Sequence, residues 1–251
     1  MTSGSKSAPN PSGYGRRGSW LASALVAVAM GVVLLAPAGA AGAGSAVTQP
    51  LAVILHDHVA RVAPNVHARR IEAVDARRPL TGSRTILPVL GKASHRRSGS
   101  WLRVRLPGRP NGHAGWISTG RTKLTSTPWR IVVKLSARRV TVYRGGRVAR
   151  RFRAVVGSPS TPTPKGSYFV EEALALSSSE PGAPFALATS ARSNVFQEFE
   201  GGPGQIGIHG TQGLSGAPGT AASHGCIRLP TRAITWLARR IGAGVPLAIE
   251  S

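Results

Sequence analysis

The chain has 251 residues, 41% of them hydrophobic, which is enough for one globular domain with a real core and a smaller module beside it. It carries 32 Lys and Arg against 9 Asp and Glu, and the imbalance is local: residues 61–165 hold 24 basic and 2 acidic side chains, whereas residues 166–251 hold 5 and 6. One cysteine in the whole chain excludes an internal disulfide and a cysteine zinc site.

The basic half suits an anionic partner, either a lipid surface or a polymer such as a cell-wall glycopolymer; its bland alternative is arginines spread over solvated strands. Nothing in the chain resembles a helix-turn-helix, a zinc finger or an aromatic stacking platform, so nucleic acid is the weakest partner.

In chain order, residues 1–43 have the layout of an export signal. Lys6, Arg16 and Arg17 precede an apolar run from Trp20 to Ala36, and small residues with Ala-x-Ala sites follow to Ala43. Cleavage after Ala40 or Ala43 gives an exported protein at the extracytoplasmic face; an uncleaved leader would make it a membrane anchor. Residues 44–64 read as a linker or loose strand, in which His56 and His58 are too isolated for a metal site. Residues 65–125 hold short β-like segments separated by glycine turns. Trp101-Leu102-Arg103-Val104-Arg105-Leu106 alternates, and Gly115-Trp116-Ile117 opens another strand. This predicts a small β-barrel-like module similar to the bacterial Src-homology-type modules of wall enzymes.

Residues 127–251 read as a mostly β domain with one or two helices. Arg130–Leu135 and Arg139–Tyr143 form a hairpin, Val148–Val156 a third strand, and Tyr168–Val170 a strand after a rigid Pro162-x-Pro164-x-Gly166 connector. Glu171, Glu172, Glu180, Glu198 and Glu200 fall in a stretch rich in small residues, the composition of a lid or a solvated loop. Asn194, Phe196 and Gln205 are placed where a groove lining would fall. Ile234, Leu237 and Ile241 make the apolar stripe of a helix ended by Gly242, and Leu247–Ile249 is a closing strand.

The chemistry concentrates in Ser223-His224-Gly225-Cys226-Ile227-Arg228 and, upstream, Gly207-Ile208-His209-Gly210-Thr211. A lone cysteine is either a small core hydrophobe or a thiolate nucleophile. Two histidines close by, and a glycine that lets backbone approach a carbonyl, favour the nucleophile. The Gly-, Ser- and Ala-rich loop between the two segments lets a strand-borne base meet the cysteine over a sheet edge.

Those two segments, with Gly157...Thr161-Pro162-Thr163-Pro164-x-Gly166 and the terminal helix and strand, resemble the L,D-transpeptidase family across residues 127–251. The resemblance implies a β-sandwich-like catalytic domain that acts on peptidoglycan stem peptides without a metal or cofactor. It assigns Cys226 as nucleophile and His209 as general base and acid. The main-chain carbonyl of Gly210 would orient that imidazole, Gly225 would sit in the oxyanion region, and His224, Ser223 and Arg228 would lie at the substrate, with Arg228 near a stem carboxylate. The implied product is a 3→3 cross-link with loss of a terminal D-alanine. An L,D-carboxypeptidase, which passes the acyl group to water, and a non-catalytic binder of anionic wall polymers are the alternatives.

Overall fold

The computed structural model describes residues 47–95, 99–199 and 201–251. The expected export signal at 1–43 and Glu200 lie outside the described residues. Among those residues the chain is mostly β with one helix, as expected from the sequence.

The first sheet has seven strands: β1 (Gln49–Ile54), β2 (His58–Arg61), β3 (Arg70–Val74), β4 (Ile86–His95), β5 (Gly99–Arg105), β6 (Ala114–Ser118) and β7 (Thr122–Thr127). Their spatial order is β3-β2-β6-β5-β4-β1-β7, with antiparallel neighbours throughout. Residues 49–54, expected within a linker or loose strand, form β1 inside the sheet between β4 and β7. Leu51, Ala52 and Ile54 are buried there, so the short apolar run is held by two neighbours rather than left loose. Leu87, Leu102, Val104, Leu106 and Ile117 complete this core, and Phe169 enters it from the second sheet.

The second sheet runs in the order β10-β9-β8-β17-β12-β13-β14-β16. Its strands are β8 (Trp129–Lys134), β9 (Arg139–Arg144), β10 (Arg147–Arg153), β12 (Gly166–Ala175), β13 (Phe185–Arg192), β14 (Gln205–Gly210), β16 (Ile227–Leu229) and β17 (Pro246–Glu250). A parallel pair of short strands, β11 (Val156–Gly157) and β15 (Ala221–Ser223), forms a separate two-stranded sheet. Alternation in β8 sends Ile131 and Val133 inward, opposite Val142 and Val140 of β9, and leaves Arg130 and Lys134 in water. Helix α1 (Thr231–Ala238) buries Ile234 and Leu237 on this core. It stops four residues before Gly242; the N–H of Ile241 still reaches Leu237 O, which keeps that side chain in the apolar stripe.

The acidic stretch also departs from expectation. Glu171 and Glu172 sit in β12, 1% and 2% exposed, instead of on a lid. Glu171 is flanked by Arg78 and by Arg192, the latter at 3.0 Å. Glu172 accepts from Thr81 N–H and Oγ1 at 2.8 and 2.7 Å. Arg78 and Arg192 thus neutralise Glu171, and Arg78 with the Thr81 donors stabilises Glu172, charges that burial alone would forbid. Of the described residues in this group, Glu180 and Glu198 are exposed.

Candidate active site

Strand β14 alternates strictly: Ile206 and Ile208 enter the core while Gln205, Gly207 and His209 face the other way. Strand β16 lies parallel to it in the register Ile208 to Ile227 and His209 to Arg228, so Cys226, just before β16, falls beside Gly207 on the face that carries His209. The Gly207 N–H donates to Cys226 Sγ at 3.4 Å, a contact suited to sulfur bearing negative charge. Cys226 is half-buried.

The His209 ring is fixed by its own main chain. Nδ1 lies 2.9 Å from Gly210 O. A carbonyl only accepts, so Nδ1 carries the proton and the neutral ring keeps its lone pair on Nε2. A β-carbon placed at Gly207 would stand 3.6 Å from His209 Cδ2. The Cδ2 side of the ring is therefore turned toward Gly207, beside which Cys226 lies. Base and thiol share one face, and the tautomer suits proton abstraction.

The turn before Cys226 is held from three sides. Ser223 is 1% exposed; its Oγ donates to Cys226 O at 2.6 Å and accepts from the Gly225 N–H at 3.2 Å. Thr163 Oγ1 accepts from the Gly157 N–H at 2.9 Å and donates to Gly225 O at 2.8 Å. Thr161 Oγ1 donates to Ser223 O at 3.0 Å. Gly225 has φ of +119°, and a β-carbon there would meet Ile206 Cδ1 at 2.9 Å, so both backbone and space require glycine. Its N–H is directed to Ser223, so Gly225 here shapes the turn.

Cys226 opens into a narrow cleft lined by Phe196, Phe199, Gln205, Ile206 and His224. The exposed His224 ring packs on Phe199 and Phe196, with centroids 5.7 and 6.1 Å away. Asn194 instead accepts from Asn111 of the first sheet's 107–113 loop at 3.1 Å. Arg228 is 6% exposed and absent from the cleft lining; its Nη1 donates to Ser215 O at 2.5 Å. In this position it braces the 212–220 loop, which Gly219 N–H to Ala154 O and Val156 N–H to Thr220 O also tie down. The flexible composition of that loop hides three anchors. Thr163, Thr161 and Phe199 were not apparent from the sequence as site residues; the hydroxyls flanking Pro162 were the available signal.

Residues 128–249 match the family model of the L,D-transpeptidase catalytic domain named YkuD. They belong to that family. The YkuD protein of Bacillus licheniformis is 28% identical over 151 residues, which cover 57% of this chain and 83% of that protein; the YkuD protein of Bacillus subtilis is 29% identical over 123 residues, or 49% and 66%. Among solved structures, an L,D-transpeptidase from Mycobacterium smegmatis aligns with a TM-score of 0.39 at 19% identity, covering 61% of this chain and 90% of that one. L,D-transpeptidase 3 from Mycobacterium tuberculosis, in complex with a faropenem-derived adduct, aligns with a TM-score of 0.40 at 18% identity, covering 65% and 69%. Among the described residues, no group of His, Cys, Asp and Glu is placed to hold a metal ion.

Proposed function

We propose that the chain is an exported cysteine acyltransferase that joins peptidoglycan stems through 3→3 links. His209 Nε2 takes the proton of the Cys226 thiol, and the sulfur attacks the carbonyl of the penultimate residue of a tetrapeptide stem. The tetrahedral intermediate collapses as the C–N bond breaks. His209 returns the proton to the leaving amine, and terminal D-alanine departs. The amine of a second stem then attacks the thioester, gives its proton to His209 and releases the thiolate. Main-chain N–H groups at the cysteine turn, other than that of Gly225, which is directed to Ser223 Oγ, stabilise the oxyanion. The single observation behind this reading is the His209 Nδ1–Gly210 O contact of 2.9 Å, which leaves Nε2 as the basic nitrogen on the face shared with Cys226.

The outer face of β8–β10 supports anionic wall polymers as a further partner. Arg130, Lys134, Arg139, Arg151 and Arg153 project from it, all exposed. Pelleting with purified wall should fall once its anionic polymers are stripped; equal pelleting sinks the electrostatic reading.

Intact-protein mass after incubation with a carbapenem tests the chemistry. Wild type is expected to gain one adduct mass and Cys226→Ala none. A folded wild type without an adduct would favour the non-catalytic wall binder. Muropeptide products then separate an amine acceptor from water: linked dimers indicate transfer, shortened stems alone indicate carboxypeptidase activity.

A further inference from the structure

One wall of the cleft at Cys226 is not held by the YkuD domain alone. Phe196 and Phe199 stand on the loop between β13 and β14, and that loop has contacts of its own. Ser193 N–H bonds Gly204 O at 2.7 Å, Ser193 Oγ accepts from the N–H groups of Val195 and Phe196, and Phe199 and Gly202 exchange two bonds. These shape the loop but leave three carbonyls directed away from it.

All three meet one side chain of the first sheet. Arg109, on the loop between β5 and β6, donates Nη1 to Pro203 O at 2.9 Å and Nη2 to Ser193 O at 2.7 Å and Phe196 O at 2.9 Å. Two residues on, Asn111 pairs with the main chain of Arg192. Its Oδ1 accepts the Arg192 N–H at 2.8 Å and its Nδ2 donates to Arg192 O at 2.7 Å. A planar guanidinium presents several fixed donors, which a lysine ammonium cannot reproduce. The Phe196 carbonyl it holds belongs to the residue whose ring lines the cleft.

We infer that Arg109, with Asn111, is a positioning residue of the N-terminal module that fixes the Phe196–Phe199 wall and so sets how tightly the acyl donor is seated at Cys226. The inference rests on the acyl-enzyme reading for its catalytic consequence, not for the contact itself. The module thereby completes the donor cleft. A misplacement of about 1 Å in a wall far from the reacting atoms is enough to cost on the order of 100-fold in rate.

The test compares wild type, Arg109→Ala and Arg109→Lys by three readouts. Hydrogen exchange over 193–204 should accelerate in Arg109→Ala, more than in Arg109→Lys. Carbapenem acylation should slow about 10-fold or more in the alanine variant and less in the lysine variant. Alkylation of Cys226 by iodoacetamide, which needs the thiolate and not the cleft, should stay within about twofold. If Arg109→Ala does not fold, Arg109→Lys and Asn111→Ala carry the same comparison. Unchanged exchange at 193–204 overturns the clamp. Unchanged acylation, or an equal drop in alkylation, overturns its effect on donor seating. A wild type that never acylates, with exchange still responding to Arg109, refutes the acyl-enzyme reading and leaves the contact standing.

Discussion

Gly182 lies against the side chain of His209: a β-carbon built on Gly182 would fall 2.6 Å from His209 Nδ1. The same glycine accepts the Gly210 N–H at 2.7 Å and donates its own N–H to Gln212 O at 2.8 Å, which ties the 180–184 turn to the end of β14. Gly182 has φ of +86°, so alanine is disfavoured by backbone as well as by space. Gly182→Ala should cost about 1–3 kcal/mol of stability from the strained backbone. Its larger effect should be on the base. The ring cannot keep both its place and the Gly210 O contact, so carbapenem acylation should fall on the order of 100-fold while the protein stays folded. Acylation within twofold of wild type in a folded variant would mean that His209 need not hold this position.

Thr163 carries a second prediction. Thr163 is 3% exposed, and its hydroxyl links Gly157 N–H to Gly225 O. Thr163→Val keeps the shape and leaves both partners unsatisfied, at a cost of about 1–3 kcal/mol. The loss should appear as a lower urea midpoint and slower Cys226 alkylation, since the turn that presents the thiol loosens. Thr163→Ser should restore both. A valine variant as stable and reactive as wild type would remove Thr163 from the support of the turn.

Local patterns explain why much of this was legible in the sequence. The β8–β9 hairpin declares itself through β-branched apolar residues bracketed by Arg and Lys, and β17 through the apolar Leu247-Ala248-Ile249 run. His209, Cys226 and the glycines beside them stand in two short segments whose composition already suggests a base and a nucleophile. What was hidden depends on partners distant in sequence. Glu171 and Glu172 read as residues of a lid or a solvated loop because a sequence does not show that Arg78 and Thr81 lie across from them. Arg109 was one arginine among many in a basic module, and only the fold sets its guanidinium on three carbonyls of the 193–204 loop. Arg228 followed the motif toward substrate, yet its burial turns it to Ser215 O.

His224 tests the cleft from the other side. It is exposed and packs on Phe196 and Phe199, so it contributes surface at the mouth of the site rather than support below it. His224→Ala should leave the fold and iodoacetamide alkylation nearly unchanged. It should raise the KM for the stem donor several-fold, with a smaller effect on kcat, because an aromatic contact is worth about 0.5–1.5 kcal/mol beyond the area it buries. A loss confined to kcat, together with slowed alkylation, would instead point to His224 as the base and displace His209.

The buried cluster around Glu171 makes the strongest stability prediction. Glu171 sits between Arg78 of the first sheet and Arg192 of the second. Burial pulls Arg192 down to about 10, with the charge on Glu72 opposing the shift. Its folded value lies below its unfolded one, so charging it costs stability at every pH below about 10, and neutral pH falls within that window. The Glu171 carboxylate offsets that cost. Glu171→Gln keeps the size but removes the charge shared by both arginines, leaving buried Arg192 facing Arg78, whose remaining carboxylate is Glu172 at 3.7 Å. The expected loss is about 3–5 kcal/mol, the cost of breaking a buried ion pair from one side. It should appear as a drop in urea midpoint seen equally by tryptophan fluorescence and far-UV circular dichroism, because the cluster joins the two sheets. Replacing Glu171 and Arg78 together, as Glu171→Leu with Arg78→Met, should recover part of it. A loss under 1 kcal/mol for Glu171→Gln would show that solvent, not Glu171, compensates these arginines.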